Sequence, residues 1–130
     1  YFHVGAVIVK NDRIISHGYN GTPSGFPEDC SDHFCGDPTE REAHHIFSEN
    51  TTIHAEMNAL LWAAREGISI DGSFLYTTLQ PCQNCIKSSV AAGIKKIIYL
   101  NSYDKSNSYS QEFCAKAGIE LIKLELLLEK

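Results

Sequence analysis

Nowhere in the 130 residues does an apolar run approach the roughly 18 consecutive residues that a membrane-spanning helix requires. Internal repeats and low-complexity tracts are also absent, which excludes solenoid and fibrous architectures. Positive charge is scarce: 11 Lys and Arg stand against 16 Asp and Glu, for a net charge of −5. That balance argues against a broad basic groove for polynucleotides, while leaving room for one local basic pocket. The five cysteines are an odd number, and two of them form a tight Cys-x-x-Cys pair. That argues against a secreted disulfide framework, and reduced cytosolic thiols, some of them on metal, fit better. With 43% apolar and 21% charged residues the chain is not disordered, and its length suits one domain over residues 1–130. It opens at Tyr1-Phe2-His3 and already reads as strand at Val4, so an N-terminal element is expected to precede it.

Val4 to Val9 and Arg13 to Ser16 are β-rich runs separated by Lys10-Asn11-Asp12, which predicts a hairpin. Gly18-Tyr19-Asn20-Gly21-Thr22-Pro23-Ser24-Gly25 is loop chemistry, and its glycines allow a close approach of backbone to a ligand. From Phe26 to Thr52 no period emerges; a connection of that length in a small domain is usually functional. A βαβ rhythm then sets in. Helices are predicted over His54 to Glu66, Cys82 to Ala92 and Tyr109 to Ala117, each followed by a glycine. Strands are predicted over Ser73 to Thr78, Lys95 to Leu100 and Ile119 to Leu124. The alternation indicates a layered α/β domain.

Three residues carry the chemistry: His54, Cys82 and Cys85. Two cysteines one helical turn apart can converge on one ion, and a helix N-terminus favours their thiolate form. With one imidazole they make three protein ligands, which leaves the fourth zinc position open, as in a catalytic site. Glu56 lies two positions after His54; helical spacing turns the two side chains to opposite faces, so Glu56 is expected to move protons rather than bind metal. Alone, the cysteine pair also fits a redox motif or half of a structural zinc site, and the His-Ala-Glu fits an ordinary helix start. Together, His54-Ala55-Glu56 and Pro81-Cys82-Gln83-Asn84-Cys85 are similar to the signature of zinc-dependent deaminases, in which the glutamate is the general acid and base.

The neighbouring residues sharpen the class. Val4 to Val9, Gly18 to Gly25, His54-Ala55-Glu56-Met57-Asn58-Ala59-Leu60, Gly93 to Tyr99 and Tyr103-Asp104-Lys105 resemble deoxycytidylate (dCMP) deaminases, most strongly the bacteriophage and bacterial members. The resemblance implies a three-layer α/β/α cytidine-deaminase-like fold with a five-stranded mixed sheet, preceded by a helix that this sequence lacks. It implies hydrolysis of dCMP to dUMP and ammonia, with Glu56 as the catalytic residue and His54, Cys82 and Cys85 on the catalytic zinc. Asn20 is then expected at the deoxyribose hydroxyl and Tyr103 beside the 5′-phosphate; the plainer alternatives are a turn residue and a loop aromatic. Gly21, Thr22, Ser24, Gly25 and Arg65 fall in the family's effector region, where dCTP activates and dTTP inhibits, each with Mg2+; late in a helix, Arg65 also fits a simple partner for the helix dipole. Some relatives hold a second, structural zinc, for which Cys30 and His44 match in position; a free cysteine and a solvated histidine are the alternative. The family further implies a hexamer, no polynucleotide substrate and a cytoplasmic location. Two other readings remain: a deaminase of the same superfamily acting on a nucleoside or a polynucleotide, and a zinc-stabilised interaction module without activity. A thioredoxin-like oxidoreductase would leave His54 and Glu56 unexplained. Cys114 reads as a small core residue.

Overall fold

The computed structural model describes residues 3–27, 41–102 and 108–124. Strands β1 (Gly5–Lys10) and β2 (Arg13–Tyr19) pair antiparallel. Their turn residues, Asn11 and Asp12, both have positive φ, 53° and 63°. Such a two-residue turn matches the twist of the strands it joins, and Asn and Asp tolerate it better than other side chains. The register slips between Ile8 and Val9, which leaves Ile15 as the extra residue of a β-bulge.

Five strands form one sheet in the order β2-β1-β3-β4-β5, with β3 (Phe74–Leu79), β4 (Lys96–Asn101) and β5 (Glu120–Lys123). β1 is antiparallel to both its neighbours, while β3, β4 and β5 run parallel. The helices are α1 (Arg41–Thr51), α2 (Ala55–Arg65), α3 (Gln83–Ala91) and α4 (Ser108–Ala117). Ile86 of α3 and Cys114 of α4 share one core cluster with Leu75 and Ile97, which places α3 and α4 on one face of the sheet, as right-handed crossovers stepping in one direction favour. The five-stranded mixed sheet and the α/β class are those expected from the sequence.

On the helical face Ala6, Ile8, Leu75 and Ile97 meet Ala55, Ala59, Leu60, Ala63, Ile86 and Cys114 in one core. Ile8, Leu75, Ile86 and Ile97 are fully buried, each contributing about 1.5–3 kcal/mol through the apolar surface it removes from water. Cys114 is among them, as its apolar context indicated. The contact of α2 with the sheet is built from small residues. Ser16 donates a hydrogen bond to the Ala59 carbonyl at 2.7 Å. A Cβ on Gly18 would stand 2.6 Å from both the Ala55 carbonyl oxygen and the Ala59 nitrogen. Gly18 therefore lets α2 pack closely against β2.

Element ends differ from the sequence reading by a residue or two at several places. The larger difference is α1, which falls in the stretch that shows no period. Its sequence, REAHHIFSENT, is mostly polar, with Ile46 and Phe47 its only large apolar residues. Among the described residues no helix is long and apolar enough to cross a membrane.

Candidate active site

The site forms where the N-termini of α2 and α3 meet. His54 is the N-cap of α2 and Cys82 the N-cap of α3; both have extended backbone, and neither side chain caps its helix. N-cap positions favour Ser, Thr, Asp or Asn, whose side chains bond the first free N–H groups, and forgoing such a cap costs about 1 kcal/mol. Here the side chains turn toward each other instead. His54 Nδ1 lies 3.2 Å from Cys85 Sγ and 3.6 Å from Cys82 Sγ. All three candidate ligand atoms fall within 4.8 Å of one another, with His54 exposed, Cys82 half-buried and Cys85 buried.

The spacing suits zinc. Tetrahedral geometry with ordinary zinc–sulfur and zinc–nitrogen bonds places nitrogen and sulfur ligands about 3.6 Å apart. The two helix N-termini add partial positive charge, which favours thiolates. Hydrogen bonds from Cys85 and then His54 hold the Cys82 thiol down to about 3. The same bond to Cys82, followed by burial, pushes the Cys85 thiol up. His54 is raised by its hydrogen bond to Cys82, against the opposing effect of burial.

Glu56 sits in the first turn of α2 and is 4% exposed. Helical spacing does not set its relation to His54, because His54 lies outside the helix on extended backbone. Glu56 instead turns inward beside Cys85, whose thiol it helps to raise. The Thr77 hydroxyl lies 3.1 Å from Glu56 Oε1. Thr77 was not singled out by sequence reasoning. The available signal was a polar residue at an inward-facing position of β3, two residues after the fully buried Leu75.

Asn20 closes the end of β2. Its side-chain oxygen accepts a hydrogen bond from the Val4 N–H at 2.9 Å. The adjacent Gly21 exchanges backbone hydrogen bonds with Ile53, at 3.1 and 2.8 Å, which ties the glycine loop to the residue before His54. Beyond this bridge lies a cleft of about 700 Å3 whose lining includes Thr22, Ser24, Gly25 and Arg65 together with Trp62 and Phe26. The Arg65 guanidinium lies over the Trp62 ring, 5.7 Å from its centroid. Four residues assigned to an effector region from the resemblance are thus brought together, and Gly21 adjoins them. Trp62 and Phe26 were missed, since nothing local marks two distant aromatics as neighbours. Cys30 and Tyr103 lie outside the described residues, as does the side chain of His44.

The model of the family described as the cytidine and deoxycytidylate deaminase zinc-binding region matches residues 1–101. A deoxycytidylate deaminase of Enterobacteria phage T2 is 38% identical over 154 residues, covering 95% of this chain and 82% of that protein. ComE operon protein 2 of Bacillus subtilis is 40% identical, over 95% of this chain and 60% of that protein. The solved structure of dCMP deaminase from the cyanophage S-TIM5 in complex with dCMP and dUMP superposes with a TM-score of 0.70 at 38% identity, covering 92% of this chain and 79% of that one.

Proposed function

The chain belongs to the cytidine and deoxycytidylate deaminase family, and on that premise we propose that it hydrolyses dCMP to dUMP and ammonia in the cytoplasm. The observation that carries this reading is the convergence of His54, Cys82 and Cys85 within 4.8 Å, with the buried Glu56 beside them. His54 Nδ1 and the two sulfurs would hold zinc, and the whole chain would be one zinc-dependent deaminase domain. Zinc bound by three protein groups supplies a water activated at neutral pH, through its open fourth position.

Glu56 does the proton work. Its carboxylate takes a proton from the attacking water and delivers it to the cytosine ring nitrogen beside the carbon under attack. The water oxygen forms the new bond to that carbon. Glu56 then passes the second water proton to the exocyclic amine, the carbon–nitrogen bond breaks, and ammonia leaves. Burial of Glu56 keeps bulk water from short-circuiting this transfer. Asn20 would meet the deoxyribose hydroxyl and Tyr103 the 5′-phosphate.

Control by triphosphates belongs to the same proposal. The cleft of Thr22, Ser24, Gly25 and Arg65 offers backbone, hydroxyl and guanidinium donors to phosphates and the Trp62 ring to a base. With Mg2+, dCTP would activate and dTTP inhibit, in a hexamer. A second, structural zinc would sit on Cys30 and His44. Ammonia release from dCMP by the zinc-loaded chain tests the central reading. A chain that released none, or that preferred cytosine in a single-stranded oligonucleotide, would contradict it.

A further inference from the structure

We propose that Thr77 is a positioning residue for the reaction, setting the orientation of the Glu56 carboxylate; the proposal rests on the deaminase reading of the site. The terminal torsion of a glutamate is broad and roughly two-fold, so burial alone does not decide where its two oxygens point. A directional hydrogen bond to one oxygen does. Thr77 Oγ1 lies 3.1 Å from Glu56 Oε1 in a region where Thr77 is 6% and Glu56 4% exposed, so solvent does not replace that bond.

The place of Thr77 in the fold suits the task. It stands on β3, the central strand, in register with Ala6 on one side and Tyr99 on the other. Its backbone is therefore held from both flanks, and its side chain faces α2. Gly18 and the alanines of α2 bring that helix close enough to the sheet for Glu56 to reach it. The hydroxyl has one hydrogen and two acceptors within range, Glu56 Oε1 and the Leu79 carbonyl at 2.9 Å. The Leu79 N–H lies 3.4 Å from the same oxygen. When Glu56 is a carboxylate, the hydroxyl donates to it. While Glu56 carries the proton in transit on its other oxygen, Oε1 remains an acceptor and keeps the same hydroxyl hydrogen. The carboxyl group keeps one orientation through both halves of the reaction, tied to the strand that leads into Cys82.

A threonine that served only to fill space would be replaced by valine, which has the same shape, without loss of kcat. The positioning role predicts otherwise. In the zinc-loaded enzyme acting on dCMP, Thr77→Val lowers kcat about tenfold with KM and zinc content unchanged, and Thr77→Ser restores most of it. A cycle of Thr77→Val and Glu56→Ala in urea denaturation gives a second reading, since coupled residues lose stability non-additively. Thr77→Val with wild-type kcat would overturn the proposal, as would equal losses in the valine and serine variants or loss of zinc in step with activity. If the wild-type chain does not deaminate dCMP, the functional reading fails and the urea cycle decides: coupling supports Thr77 holding Glu56, and additivity overturns it.

Discussion

His54 Nδ1 and Cys85 Sγ meet at 3.2 Å although they are 31 positions apart in the sequence. Each comes from the start of a different helix, and the α2–sheet and α2–α3 contacts fix how those starts face each other. The candidate site is thus a property of how two helix N-termini are packed, with His54, Glu56, Cys82 and Cys85 drawn from their caps and first turns.

Separating metal binding from proton transfer is the first consequence. Glu56→Gln keeps the shape of the side chain and removes its ability to carry a proton. Bound zinc should remain at the wild-type ratio in elemental analysis, while kcat on dCMP falls about 10²- to 10⁴-fold. Turnover close to wild type would remove Glu56 from the proposed role.

The approach of α2 to the sheet is testable by adding one methyl group. Gly18→Ala places a carbon 2.6 Å from backbone atoms of Ala55 and Ala59, which cannot swing aside as a flexible side chain can. Overpacking of this kind costs about 1–3 kcal/mol, readable as a lowered urea midpoint. Gly5→Ala is the control, because nothing lies within 4 Å of a Cβ there. Equal stability of the two variants would contradict the packing account.

Removal of metal should expose the unequal cysteines. With Cys82 held down to about 3, its sulfur is ionised throughout the neutral range in stripped protein. Cys85 and Cys114 are both raised, the first chiefly by Cys82 and the second by burial, and stay protonated there. Iodoacetamide attacks thiolates, so peptide mapping should find Cys82 modified before Cys85 or Cys114, and zinc should restore protection. The intact protein should carry two zinc ions per chain if Cys30 and His44 hold the second. Simultaneous modification of all three mapped cysteines would contradict the charge distribution.

Regulation can be read without a structure of the complex. Added with Mg2+, dTTP should lower and dCTP should raise the rate on dCMP. Arg65→Ala should raise the concentration of either needed for half its effect about tenfold, by removing a charged donor to phosphate. A rate indifferent to both triphosphates would refute the effector assignment.

Much of the site was legible because its parts are local in sequence. His54-Ala55-Glu56 and Cys82-Gln83-Asn84-Cys85 are each contained in one turn, and metal chemistry restricts which residues can stand together. The alternation of strands with helices closed by glycines likewise exposed the parallel half of the sheet, and Asn11-Asp12 exposed the hairpin. Tertiary relationships were not legible. Thr77 reaches Glu56 across the sheet–helix interface, and Trp62 joins the glycine loop only through the packing of α2. Helix α1 escaped because it is mostly polar, with Ile46 and Phe47 its only large apolar residues. His54 is a cap and Glu56 is helical, so helical periodicity does not relate the two.

Deamination of a nucleotide monophosphate at this site is read from the ratio of kcat/KM for dCMP to that for deoxycytidine. dUMP and ammonia should form in equal amounts from dCMP, with a ratio of about 10² or more, because a charged phosphate contact contributes a few kcal/mol. A ratio near one, or no product from dCMP with zinc bound, would contradict it.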